Sequence, residues 1–277
     1  MANCCFGICC TPTVLDDAHE HPLELKTDNT TLYRCAGCKE IGFGSFYQCG
    51  RRSCIKFKLH EECGNLSSGD STTHSLFFKN VEFIFQKQPP KTVGSCVACG
   101  MSVQGFRYHY CPRKKNAFGE FFVPTKELVL HPCCFRLPRN RTTQGLSTNK
   151  GVITNLELKE KAPSECLICL KKKISRKIKG WAYVSTCGNE YCYHVKCVKE
   201  LLDKKFDQQS DHGTNTTTSS LLLEVTQKAV KVGKDITVVL ILIIQALYGD
   251  PISAMVTLVM YFFNKQNLFG QKRLTRG

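Results

Sequence analysis

The sequence predicts small β-rich, Cys/His-braced modules in tandem, with an α-helical hydrophobic tail at the C-terminus. Three observations predict it. The chain of 277 residues carries 19 cysteines. A CxxC pair closed further on by a histidine and a cysteine three residues apart occurs three times. Beyond about residue 221 the polar, cysteine-rich text gives way to two almost wholly apolar runs.

The first repeat is the fullest. Tyr33-Arg34-Cys35-Ala36-Gly37-Cys38 is followed by Cys49 and Cys54, then by Leu59-His60-Glu61-Glu62-Cys63. Two cysteines separated by two residues let one tight turn aim both sulfurs at one ion, and HxxC adds an imidazole and a third thiolate. Four such donors suit tetrahedral Zn²⁺. With all four positions filled by protein, the site is closed and structural, so an enzyme is not expected. Disulfides are the rival use of so many cysteines. The count is odd, cysteines pair with histidines, and Met1 to Cys10 lacks a basic start and is closed by Pro12. A secretory leader is therefore not expected, and metal in a reducing compartment is.

Residues 1–13 form a Cys-rich tail. Cys4, Cys5, Cys9 and Cys10 are candidates for S-palmitoylation, against the alternative of free thiols on a disordered tail; Ala2 closes the myristoylation route. Residues 14–73 form the first module. His19 to Leu25 alternates like a strand and carries His19 and His21 ahead of the first CxxC, on the residues alone a solvated pair or a source of ligands, and Gly42-Phe43-Gly44 reads as a turn.

At this point HPL-x-L, YxCxxC, YxC and LHxxC together resemble the plant Cys/His-rich divergent C-one domain, a relative of the diacylglycerol-binding zinc domain of protein kinase C. The resemblance implies a small β-sheet fold with two interleaved zinc ions. Cys35, Cys38, His60 and Cys63 would hold one. His21, Cys49, Cys54 and a later ligand, His74, would hold the other. Cys49 and Cys54 have four residues between them where the family usually has two, as CxxC. Diacylglycerol binding is not carried over, because the loop Lys39 to Tyr47 supplies Phe43 and Phe46 but no recognisable groove.

Residues 74–138 repeat the pattern in degenerate form. Cys96, Cys99, His131 and Cys134 make a four-ligand set, Tyr110-Cys111 stands for the YxC step, and the other site is degenerate or lost. Phe77-Phe78 and Val81 to Phe85 read as a buried strand ended by Gln88-Pro89-Pro90. Residues 139–150 read as a linker. Residues 151–206 carry the third set, Cys166, Cys169, His194 and Cys197, with Trp181 opening an alternating strand and Val198 to Phe206 a short helix. The run Lys171 to Lys179 between its ligand pairs reads as a solvated loop or as a contact for acidic lipid or nucleic acid.

Residues 207–220 are a low-complexity linker and 221–277 the hydrophobic helical tail. Ile236 to Tyr248 and Ile252 to Phe263 are each too short for a straight crossing, which takes about 20 residues. A re-entrant hairpin turning at Gly249-Asp250-Pro251, with lysines and arginines on both flanks, fits both ends on the cytoplasmic face of a membrane; cytoplasm or nucleus is the alternative.

The function expected is a zinc-binding modular interaction and signalling protein, a membrane-tethered scaffold or adaptor similar to divergent C-one proteins of signal transduction and stress response. Protein partners are expected and no small-molecule substrate. A formal charge of +15 favours anionic partners, nucleic acid among them, though no base-reading helix is visible. The third module also matches the first five ligands of a RING-type ubiquitin ligase, but no cysteine follows Cys197 to close that motif.

Overall fold

The computed structural model describes residues 13–16, 18–74, 76–90, 93–110, 114–115, 121–122, 127–142, 155–175, 178–185 and 192–210. The Cys-rich start, Cys111, Cys187 and everything after Ser210, including the apolar tail, lie outside the described residues. Among the described residues no helix is long and apolar enough to cross a membrane.

Three four-stranded antiparallel sheets follow one another along the described chain. The first is β1 (Thr13–Asp16), β2 (His19–Arg34), β3 (Ile41–Cys49) and β4 (Lys58–His60), followed by the one-turn helix α1 (Glu61–Asn65). The second takes β5 (Ser71–His74) and β6 (Phe78–Gln86), then passes the small hairpin β7 (Gly94–Ser95) and β8 (Ser102–Val103). It continues with β9 (Arg107–Tyr110) and passes a second hairpin, β10 (Lys114–Lys115) and β11 (Phe121–Phe122). It ends with β12 (Leu128–Leu130) and helix α2 (Pro132–Phe135). The third is β13 (Asn140–Thr142), β14 (Asn155–Lys159), β15 (Ala182–Ser185) and β16 (Cys192–His194), followed by helix α3 (Val195–Ser210).

Local sequence accounts for most of these elements. In β14, Leu156 and Leu158 are buried and their neighbours half-exposed, the period of two of a strand with one face in the core. In α3, Val195, Val198 and Leu202 fall on one helical face and are buried, while Lys196 and Glu200 pair at 3.5 Å on another. The β15 segment departs from the alternation expected after Trp181: all four of its residues are buried. Gly42-Phe43-Gly44 is not a turn either. It lies inside β3, where pairing with β2 jumps from Asp28–Gly44 to Tyr33–Gly42, and Gly44 sits at φ 83°. The third sheet begins at Asn140, within the stretch read as a linker, and α3 runs on to Ser210.

By compactness the chain divides into two units. One comprises Met1–Asp28, Tyr33–Cys96 and Ser102–Phe135, the other Asn29–Leu32, Val97–Met101 and Arg136–Gly277. In the first, Leu23, Tyr33, Ile41, Phe46, Tyr47 and Leu59 fill the sheet β1–β4. Phe83, Phe85, Tyr108 and Leu130 fill the sheet β5-β6-β9-β12, where Tyr108 stacks on Phe135 at 4.0 Å between ring centres. In the second, Trp181, Tyr183, Tyr193, Leu156 and Leu158 are buried together with the apolar face of α3. Pairing also corrects the internal alignment of the repeats. Tyr47 lies across from Leu59 and Tyr108 across from Leu130, so Tyr108 and not Tyr110 is the counterpart of Tyr47.

Candidate metal centres

The same strand-to-helix junction builds the histidine half of three sites. His60 and His194 end β4 and β16, and His131 directly follows β12. Cys63, Cys134 and Cys197 are each the third residue of the helix that follows. The chain reverses from strand to helix between them, which brings Nδ1 and Sγ to 3.8, 3.9 and 3.8 Å in the three cases.

A tight turn builds the other half. In the first module Lys39 N–H donates to Cys35 O and Cys35 N–H to Glu40 O; in the third, Leu170 N–H donates to Cys166 O and Cys166 N–H to Lys171 O. The residue after the second cysteine has positive φ in all three turns: 67° at Lys39, 70° at Gly100 and 55° at Leu170. Backbone N–H groups face the thiols, His60 to Cys35 Sγ at 3.4 Å and His194 to Cys166 Sγ at 3.3 Å.

Four sets of donors result, each with its ligand atoms within 4.8 Å of one another. They are Cys35, Cys38, His60 and Cys63; Cys96, Cys99, His131 and Cys134; Cys166, Cys169, His194 and Cys197; and His19, His21, Cys49 and Cys54. A tetrahedral zinc with sulfur at about 2.3 Å sets donor–donor edges of about 3.8 Å. The separations of 3.2 Å for Cys38–His60, 3.4 Å for Cys169–His194 and 3.6 Å for Cys54–His21 lie near that edge. The donor sets therefore fit zinc.

The ionisation of the thiols gives the same reading. A hydrogen bond from Cys197 draws the Cys166 thiol far down against its burial, and the same bond, with burial, pushes Cys197 up. Thiols this close cannot all ionise alone, and a divalent ion is what permits three thiolates to coexist.

The structure brings together every sequence-predicted ligand but one. His74 is absent from the fourth set, and His19 stands in its place. His74 ends β5, buried and edge-on to Phe135 at 5.0 Å, and its Nδ1 accepts Phe77 N–H at 3.3 Å. Burial lowers its pKa, with a backbone hydrogen bond to Phe135 opposing, so it is a neutral core histidine. His19 stacks on Phe57 at 4.2 Å, and its buried Nε2 has no hydrogen-bond partner among the described residues, which leaves it available to a metal. The missed signal was the strand itself. His19 and His21 are two apart on β2, so both side chains leave the same face. Phe43 and Phe46, the aromatic residues of the loop in which no lipid groove is recognisable, are buried in the first sheet. His109 lies 3.6 Å from Glu127.

The molecule is thus, in its described part, a β-rich protein with several Cys/His zinc-type sites in tandem. A family model for the C1 domain matches residues 17–64, a stretch that contains both sets of the first module and stops short of His74. This part of the chain is similar to C1 domains, and with the four Cys/His sets the match points to zinc as the metal. No curated protein and no solved structure matches the chain.

Proposed function

We propose that the protein is a zinc-stabilised interaction protein, a scaffold or adaptor in signalling, and that its third module presents the partner-binding surface. The observation that carries this reading is how the three CxxC turns are used. In the first turn Gly37 O accepts Phe106 N–H at 3.0 Å, and in the second Ala98 O accepts Trp181 N–H at 2.7 Å. In each case a buried aromatic residue immediately preceding a strand docks on the turn. The corresponding turn of the third module leaves Leu167, Ile168 and Leu170 exposed beside the exposed Lys171, Lys172 and Lys173.

Leu170 is 69% exposed at φ 55°, an apolar residue in a conformation that a leucine adopts at a cost of about 1–2 kcal/mol. An exposed apolar patch with a basic rim suits an acidic protein partner. Closed donor sets support a structural use of the metal rather than catalysis. The apolar runs after residue 235 support a membrane tether on the cytoplasmic side, in the sense argued from the sequence.

The test is a photo-crosslinking residue placed at Ile168 of the full chain in cells, with Lys159 as the control position. Discrete protein adducts confined to Ile168 are expected. Lipid adducts alone, or the same adducts from both positions, would count against an adaptor surface at this turn.

A further inference from the structure

Three of the four donor sets have the same ligands and the same Nδ1–Sγ spacing, but they differ at the far side of the imidazole. His60 Nε2 faces Ile41 O at 3.1 Å. His131 Nε2 faces Ser102 O at 3.1 Å and Glu40 Oε1 at 2.9 Å. His194 is wholly buried, and its Nε2 has no hydrogen-bond partner among the described residues.

The first two carbonyls occupy the same place in the repeat, three residues after the second cysteine of the turn. That place in the third module is Lys172, and its segment does not deliver a carbonyl to His194. Glu40 is an addition peculiar to the second site. It lies two residues after Cys38, is itself buried, and reaches from the turn of the first module to the histidine of the second. The second site has one more anchor, because the buried Lys199 donates from Nζ to Cys99 Sγ at 3.9 Å.

A hydrogen bond on the second nitrogen of a metal-binding imidazole fixes its ring and tautomer and strengthens its donation, and loss of such a partner costs about 10–100-fold in metal affinity. We propose that the three Cys3His sites form a graded series in which the third module releases zinc first and the second module last, with Glu40 the positioning residue that sets the second site apart. The inference rests on the zinc reading above. It makes the third module, which also carries the exposed turn, the one whose fold responds to zinc supply.

The experiment uses the zinc-loaded full chain challenged with a chelator, pulsed with N-ethylmaleimide at intervals and read peptide by peptide by mass spectrometry. Cys166, Cys169 and Cys197 are expected to label first, Cys35, Cys38 and Cys63 next, and Cys96, Cys99 and Cys134 last, with steps of about tenfold or more. Glu40→Gln keeps the side-chain shape, and its backbone carbonyl still serves Cys35. It should bring labelling of the second set forward by about tenfold or more and leave the third set unmoved. Glu40→Asp shortens the reach and should do the same, whereas a variant that simply misfolds would release all sets together and lose the Trp181 emission of the native chain.

One common rate for the three sets, a third set that labels last, or a second set indifferent to Glu40→Gln would overturn the proposal while leaving zinc binding intact. A purified chain without zinc, labelled throughout before any chelator is added, would overturn the zinc reading and the grading with it.

Discussion

His19 and His74 exchange the roles that sequence spacing assigns them, and single substitutions separate the two. His19 contributes a donor to the set with His21, Cys49 and Cys54, so His19→Ala should cost that site its ion and lower the bound zinc by one per chain. His74 is a hydrogen-bonded ring among Phe77, Phe78 and Phe135, so His74→Ala should leave the zinc content unchanged and act only on stability, by about 1–3 kcal/mol for the lost packing. Metal analysis by mass spectrometry on both variants decides between them; loss of zinc from the His74 variant alone would restore the ligand set expected from the sequence. The Cys/His spacing made three of the four sets legible at this scale. The remaining donor was hidden because two histidines on a strand look equivalent in text until the strand's face is known.

At the scale of elements, the turn that carries CxxC does two jobs. It holds two sulfurs, and its third residue offers a carbonyl to an aromatic residue at the head of another strand. The first of these contacts depends on Gly105. A Cβ there would stand 1.9 Å from the backbone oxygen of Gly37, and no side-chain rotation relieves a clash with backbone. Gly105→Ala should therefore destabilise the zinc-loaded protein by about 1–3 kcal/mol, as over-packing of a tight contact does. Gly94→Ala, which meets only Val129 at an ordinary 3.5 Å, should be close to neutral. Denaturant melts of the two variants at saturating zinc make the comparison, and equal midpoints would mean that this contact contributes nothing. Nothing in the CxxC spacing announces the docking. Its only sequence trace is the large aromatic residue two places before Tyr108 and Tyr183, where Ser45 stands two places before Tyr47 in the first module.

For the whole molecule, stability and metal are one question. A module of about 60 residues buries too little apolar surface to be secure alone, while a structural zinc in a small peptide supplies on the order of 10–16 kcal/mol. Full chelation should collapse the far-UV signal of the sheets and shift the emission of Trp181, which is 1% exposed between the turn of one module and the sheet of the next. Retention of both signals in the metal-free chain would end the scaffold reading. The apolar runs beyond residue 235 belong to the same scale. The full chain is expected to stay in the pellet of an alkaline-carbonate wash from which a 1–220 truncation is released.

The sequence alone determined the chemistry. CxxC and HxxC need no fold to be read as donor pairs, because a turn and a strand-to-helix junction are local structures, and the resemblance to C-one domains rests on such local text. Tertiary structure decided what spacing cannot carry. Strand pairing chose His19 over His74, since which residues share a site across two strands depends on register and face. Packing buried Phe43 and Phe46, put Glu40 behind His131, and left the third turn exposed with Leu170 at its edge. Each of these joins residues distant in the chain, and the free energy that selects among such partners is set by burial and register, which exist only once the sheets have formed.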